Sequence, residues 1–293
     1  MRIGATIPIA GPGAFDPGPM AAARRLEEAA YDSVWLADRL LAAIPLRSRY
    51  PFNPDGKPRW ALDTAFLEST MTMAMMVAGT SLVEVGVAAL VVPLRHPVVL
   101  ARQMATLDAL SGGRIVMGVG AGWMEEEFEA IGVPYETRGR RLDESIELMR
   151  QCWRGAPEPA SSGMFPIPEG ILTRPLPVRT PPVLVAGNTS GAIRRAATYG
   201  DGWLPLQIVT HFDIDWVERK AALFREDLGK ERPGFEPRLL LRIGGDFGQL
   251  VQSMPGLAPR LVGAGVTGVV IDVDWTVEDG ARRALGMARD VGF

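Results

Sequence analysis

One cysteine and two histidines occur in 293 residues, and all but three of the 31 basic residues are arginine. The first two of these shortages exclude classes of chemistry. A lone thiol, Cys152, excludes an internal disulfide framework. It lies in an apolar helical pattern, where a buried and inert thiol is expected. His96 and His211 have no cluster of further ligands around them, whereas a zinc centre needs three or four, so no metal site is expected. No G-x-S-x-G elbow is present to begin a Ser-His-Asp arrangement. No run reaches the ~20 apolar residues of a membrane span. The N-terminal MRIGATIPIAGPG is broken too early by glycine and proline for a signal peptide, so a cytoplasmic protein is expected. The net charge of −3 offers no electrostatic case for nucleic acid or a membrane surface as a partner.

What is present is an alternation of strands and helices. Apolar residues make up 47% and charged residues 22%, an ordinary balance for a globular protein. The stretch from Val83 to Trp123 sets the pattern. Val83–Leu90 reads as a strand buried on both faces. Pro97 opens a helix, and Gly112–Gly113 ends it. Ile115–Val119 is a second strand, delivering the glycine loop Gly118, Gly120 and Gly122 beyond a sheet. The same reading predicts strands at Arg2–Ile9, Ser33–Ala37, Pro182–Ala186, Gly202–Leu206, Arg238–Gly244 and Gly268–Val273. Helices are predicted at Met20–Ala30, Phe66–Ala78, Met124–Ile131, Arg138–Trp153, Ala192–Tyr199, Phe212–Asp227, Leu250–Val262 (disturbed by Pro255 and Pro259) and Thr276–Ala288. The stretch from about Leu41 to Trp60 is irregular, as functional or covering loops are. At this length the parallel, right-handed solution is one (β/α)8 barrel spanning residues 1–293, with insertion loops at its C-terminal face. An open doubly wound sheet is the rival, but it calls for G-x-G-x-x-G directly after the first strand.

In a barrel, function collects at the C-terminal ends of the strands. Those ends are rich in glycine and poor in acid–base pairs, which suggests that a bound cofactor carries the chemistry. Gly187-Asn188-Thr189-Ser190-Gly191 follows a strand and opens a helix. Thr189 or Ser190 can cap that helix, and its free N–H groups can receive a phosphate. Gly263–Gly268 is a competing phosphate loop or a helix C-cap. Asp38–Arg39 is either a rim ion pair or a carboxylate beside a cofactor ring with an arginine near a substrate anion. His96 is expected to be structural or capping, and His211 to sit at a rim or a site. Glu125–Glu127 suits the positive end of a helix dipole without any catalytic role.

Five blocks together resemble the luciferase-like superfamily of flavin and deazaflavin barrels, most closely its coenzyme F420-dependent oxidoreductase branch. They are SVWLADR (33–39), VPLRHPVVLARQMATLDALSGGRIVMGVGAGWMEEEFEAIGVP (92–134), RGRRLDESIELMRQCW (138–153), RPLPVRTPPVLVAGNTSGAIRRAATYGDGW (174–203) and GAGVTGVVIDV (263–273). The resemblance implies a non-prolyl cis peptide at Ala88–Ala89, on a bulge under the cofactor's central ring. It implies phosphate binding by Gly187, Asn188, Thr189, Ser190 and Gly191. It places Gly120, Ala121, Gly122 and Trp123 along the ring edge, Glu126 near the hydroxyl chain and Asp38 close to the ring. A homodimer is the family expectation.

Two residues depart from the family pattern. Arg39 stands where many deazaflavin members carry a histidine, and an arginine does not give up its proton. Trp123 stands where the sugar-phosphate dehydrogenases carry a glutamate, which points to an apolar pocket. The reading is therefore a small-molecule oxidoreductase passing a hydride to or from F420, with Asp38 tuning the ring and Arg39 orienting an anionic group. An FMN-dependent monooxygenase and a non-catalytic cofactor-binding barrel are the alternatives.

Overall fold

A computed structural model describes residues 1–277 and 279–293. The chain runs β1 (Arg2–Thr6), α1 (Pro19–Glu28), β2 (Ser33–Leu36), α2 (Ser69–Gly79), β3 (Glu84–Val91), α3 (Pro97–Ser111), β4 (Ile115–Gly120), α4 (Glu125–Ile131) and α5 (Arg138–Arg154). It continues with β5 (Val183–Ala186), α6 (Ser190–Tyr199), β6 (Gly202–Leu204), β7 (Leu206–Ile208), α7 (Ile214–Glu231), β8 (Arg238–Gly244), α8 (Phe247–Ser253), α9 (Leu257–Gly263), β9 (Gly268–Ile271) and α10 (Gly280–Asp290). All strand pairings are parallel, and β6 pairing with β8 closes the sheet. β6 and β7 are one stave broken at Pro205, which has no N–H for the ladder. The result is the expected eight-stranded TIM barrel. Among the described residues no helix is long and apolar enough to cross a membrane.

Apolar side chains fill the inside of the barrel. Trp35, Ala88, Val116, Leu184, Leu204, Leu240 and Val270 form one buried cluster, each from a different strand. The indole of Trp35 is fully buried and donates to Ser33 Oγ at 2.7 Å. Gly86 is where that ring lies: a β-carbon there would sit 2.4 Å from it. The helices pack their apolar faces on the outside, in a continuous outer core. Cys152 lies in that core, and burial pushes its thiol up to about 11, as the inert reading expects.

Several expected helices shift or divide. The helix predicted from Phe66 begins at Ser69, because Glu68 caps it by accepting from Met71 N at 2.9 Å. Phe66 instead pairs with Ala10 in an isolated bridge at the barrel mouth. The helix predicted over Leu250–Val262 is two, α8 and α9, separated around Pro255 and the left-handed Gly256. The closing helix begins at Gly280, and Glu278 within its predicted span lies outside the described residues.

Candidate active site

β3 slips against β4 between Val87 and Leu90, so one extra residue bulges from the strand. The bulge is Ala88–Ala89, and their peptide bond is cis. Arg242 on β8 donates from Nη1 to the Ala88 carbonyl at 2.6 Å. This bulge borders a cleft of about 750 Å³ at the C-terminal mouth of the barrel. That volume lies in the ~300–1,000 Å³ range of small-molecule sites.

The cleft brings together Asp38, Arg39, Ala88, Ala89 and the whole run Gly120–Trp123. Gly187, Asn188 and Thr189 line its other end. Glu126, Ser190 and Gly191 are not in its wall, although Ser190 and Gly191 are the first residues of α6. The competing loop Gly263–Gly268 leads into β9 from below, on the opposite face of the barrel, where Gly265 N bonds Val262 O at the end of α9. The C-cap reading of that loop holds.

Asp38 lies two residues past the end of β2 and is completely tied. Arg95 reaches its two oxygens from Nη1 and Nη2 at 2.8 and 2.9 Å, Val91 N donates at 2.8 Å, and Ser69 Oγ donates as well. In this LRHP stretch His96 is expected to be structural or capping, and Arg95 is the residue that serves the site. His96 stands at the start of α3 without a capping bond, edge-on to Phe165 at 5.6 Å.

Arg39, next to Asp38, has no carboxylate partner among the described residues. Its guanidinium lies over Trp60 at 4.5 Å, Phe66 at 5.2 Å and Trp123 at 5.3 Å. Nη1 approaches Met124 Sδ at 3.4 Å, and Nε is buried with no partner. Burial lowers its pKa, opposed mainly by Glu127 nearby. Tyr50 stands edge-on to both Trp60 and Trp123 at 5.2 Å, completing an aromatic box. Burial raises the Tyr50 phenol above its ordinary value, so it is a donor at neutral pH.

Tyr50 and Trp60 come from the long loop between β2 and α2, which is pinned over the mouth. The acidic run at the start of α4 does the pinning. Glu127, buried, accepts from Leu40 N and Leu41 N at 2.8 and 3.1 Å. Glu126 takes Ser48 Oγ at 2.7 Å and Ser48 N at 3.0 Å, with Arg47 N on the same carboxylate. Burial pushes the Glu126 carboxyl up, but these hydrogen bonds outweigh it and hold it at about 2. On the far side, His211 meets Phe52 O at 3.0 Å and Arg59 donates to Thr210 Oγ at 2.6 Å. His211 is thus a rim residue that holds the lid.

At the other end, Thr189 caps α6 by accepting from Ala192 N at 3.2 Å. The N–H groups of Ser190 and Gly191 carry no partner among the described residues. Asn188 does not project into solvent: its amide bonds both Leu206 O at 2.7 Å and Leu206 N at 3.1 Å, clamping the loop to β7. Gly187 has φ +128°, a conformation that side chains resist, and its carbonyl receives the Trp203 indole N–H at 2.9 Å. Arg138 and Arg195 share this wall with the exposed Glu136. Arg195 is paired with Asp143, whereas Arg138 lies over Tyr135 at 3.8 Å with no carboxylate partner among the described residues.

The profile of the luciferase-like monooxygenase family matches residues 3–242. The chain belongs to that family. An uncharacterised protein of Mycobacterium tuberculosis is 33% identical over 214 residues, 72% of each chain. An F420-dependent secondary alcohol dehydrogenase in complex with an F420–acetone adduct superposes with a TM-score of 0.72 at 16% identity, covering 99% of both chains. The oxygenating constituent of 3,6-diketocamphane monooxygenase from Pseudomonas putida, in complex with FMN, superposes at 0.64 and 16% identity, covering 100% of this chain and 84% of that one. The first of these neighbours carries an F420 adduct and the second FMN. The residues present fit such a group. A β-carbon at Gly120 would project beside Ala89 at 3.7 Å, so its absence leaves the floor open to a flat ring. Arg39 Nε and Arg242 Nε are both buried without partners at the cleft. The Ser190 and Gly191 N–H groups suit an anionic tail. Among the described residues no group of three potential ligands could hold a metal ion.

Proposed function

We propose that this luciferase-like chain is an F420-dependent oxidoreductase acting on a small organic substrate. The observation that carries the choice of F420 over FMN is Arg138. FMN ends at its phosphate, which the start of α6 can serve alone. F420 continues beyond its phosphate into a tail of carboxylates, and Arg138 is a cation without a carboxylate partner among the described residues, on the same wall as Thr189. When bound, F420 supplies a hydride donor or acceptor.

The residues of this chain would do the rest. Ala88, Ala89 and Gly120 would support one face of the ring. The N–H groups of Ser190 and Gly191 would hold the phosphate, with Asn188 and Gly187 fixing the loop that presents them. Asp38 touches the ring region only through its field, because its oxygens are occupied by Arg95, Val91 and Ser69. Arg39 would orient the substrate. Tyr50, protonated at neutral pH, can donate a hydrogen bond to a carbonyl oxygen or to an imine nitrogen. The lid residues Tyr50 and Trp60 would keep water from the reacting face.

Oxygen dependence tests this reading. Reduced F420 should be consumed under strict anaerobiosis with a carbonyl or imine substrate. Turnover seen only with reduced FMN and molecular oxygen would instead favour the monooxygenase reading.

A further inference from the structure

Arg39 is a cation in an apolar box. Three aromatic rings surround its guanidinium at 4.5, 5.2 and 5.3 Å. Its Nε is buried and makes no hydrogen bond. The nearest acid on α4, Glu127, already has Oε1 committed to Leu40 N and Leu41 N. Asp38, the neighbour in sequence, is spent on Arg95. A half-buried guanidinium without a counter-ion costs free energy unless something compensates it. Cation–π contact with the three rings supplies part of that compensation. It does not satisfy the remaining N–H donors, which lie in the plane of the guanidinium and match a carboxylate in a two-point geometry.

Trp123 and Tyr50 form the wall beside this fork, edge-on to one another at 5.2 Å. Flat apolar groups pack well on such surfaces. We infer that the substrate of this site is a planar carboxylic acid, its carboxylate held by Arg39 and its flat apolar body held between Tyr50, Trp60 and Trp123. The inference rests on the cleft being the redox site, but not on which cofactor fills it. Arg39 is at the end of β2, whereas the α6 start follows β5, and β3 and β4 lie between those strands in the sheet. The substrate anion at Arg39 and the cofactor phosphate at the α6 start would therefore be held at separate places.

Calorimetric titration tests this, using the full chain with and without saturating F420 and the matched pair trans-cinnamate and trans-cinnamamide at pH 7.5. The acid should bind about tenfold or more tightly than the amide, the scale of one charge-assisted contact. In R39M the two should bind alike, while R39K, which keeps the charge and loses the fork, should retain part of the preference. F420 affinity should be the same in all three proteins. Equal binding of acid and amide to the unaltered chain, binding of neither, or a preference that survives R39M would overturn the inference. So would a loss of F420 affinity in R39M with the acid preference intact, because Arg39 would then serve the cofactor. If FMN binds and F420 does not, while the Arg39-dependent preference persists, the choice of cofactor fails and the substrate class stands.

Discussion

Asp38 and Arg95 form a two-point ion pair, 2.8 and 2.9 Å long, that joins the end of β2 to the segment just beyond β3, with the Asp38 side chain fully buried and Arg95 12% exposed. Arg95 also reaches Glu68 Oε1 at 3.2 Å, so the pair links the lid's return to α2 as well. The carboxylate that begins as a candidate for chemistry is therefore a fixture. It sets where the next residue, Arg39, stands.

Breaking this pair should cost stability more than it costs any single chemical step. Asp38→Asn leaves Arg95 buried and half-paired, and one-sided loss of a buried pair costs about 3–5 kcal/mol. The denaturant midpoint should fall accordingly. A double change, Asp38→Asn with Arg95→Met, should be less destabilising than the sum of its parts, because the partners share one interaction. Full additivity would mean that the two groups do not act together.

The lid should respond to acid in a defined window. The Glu126 carboxyl is held at about 2 in the folded chain against an ordinary 4.5. A depressed carboxyl stabilises the fold fully above its unfolded value and loses that contribution as pH falls through the folded one. Burial raises Glu127, so its contribution has the opposite sign and is relieved as pH falls. The Ser48 amide resonance should therefore titrate with a midpoint near 2, and a midpoint near 4.5 would contradict the latch. Glu126→Gln keeps the shape but weakens a charge-assisted set, so tryptic cleavage at Arg47 and Arg49 should quicken about tenfold.

The start of α6 offers a change whose two effects have opposite sign. Ser190→Glu places a negative charge at the positive end of the helix, worth about 0.3–1 kcal/mol of added stability. The same charge repels a phosphate. Thermal midpoint should rise or hold while cofactor affinity falls about tenfold or more. Equal losses in both would mean that the loop is merely structural.

Much of this architecture is legible in the residues. Val83–Leu90 and Ile115–Val119 read as strands because β-branched apolar runs between glycines have few other uses. Thr189 reads as a cap because its place after a strand leaves it little else to do. The parts that escape are those whose partners are distant. Glu126 and Glu127 sit at a helix start, where the dipole already accounts for them, and nothing local reveals that Leu40, Arg47 and Ser48 lie on them. Arg95 is hidden in a lead-in to a helix, and only the barrel brings it to Asp38. The family resemblance implies Asn188 at the phosphate, and nothing local reveals that its amide also matches the backbone of Leu206, a residue of another stave. Tyr50 and Trp60 stand in a loop with no periodicity, so no pattern assigns them a face.

We propose that the α6 start and Arg138 hold the tail of a deazaflavin whose ring lies over the Ala88–Ala89 bulge. Side-by-side fluorescence titration of the apoprotein with F420 and FMN tests it most directly. F420 should bind at micromolar concentration, FMN more weakly by about tenfold or more, and that margin should be lost in Arg138→Met. FMN binding the tighter of the two, with Arg138→Met indifferent to both, would contradict it.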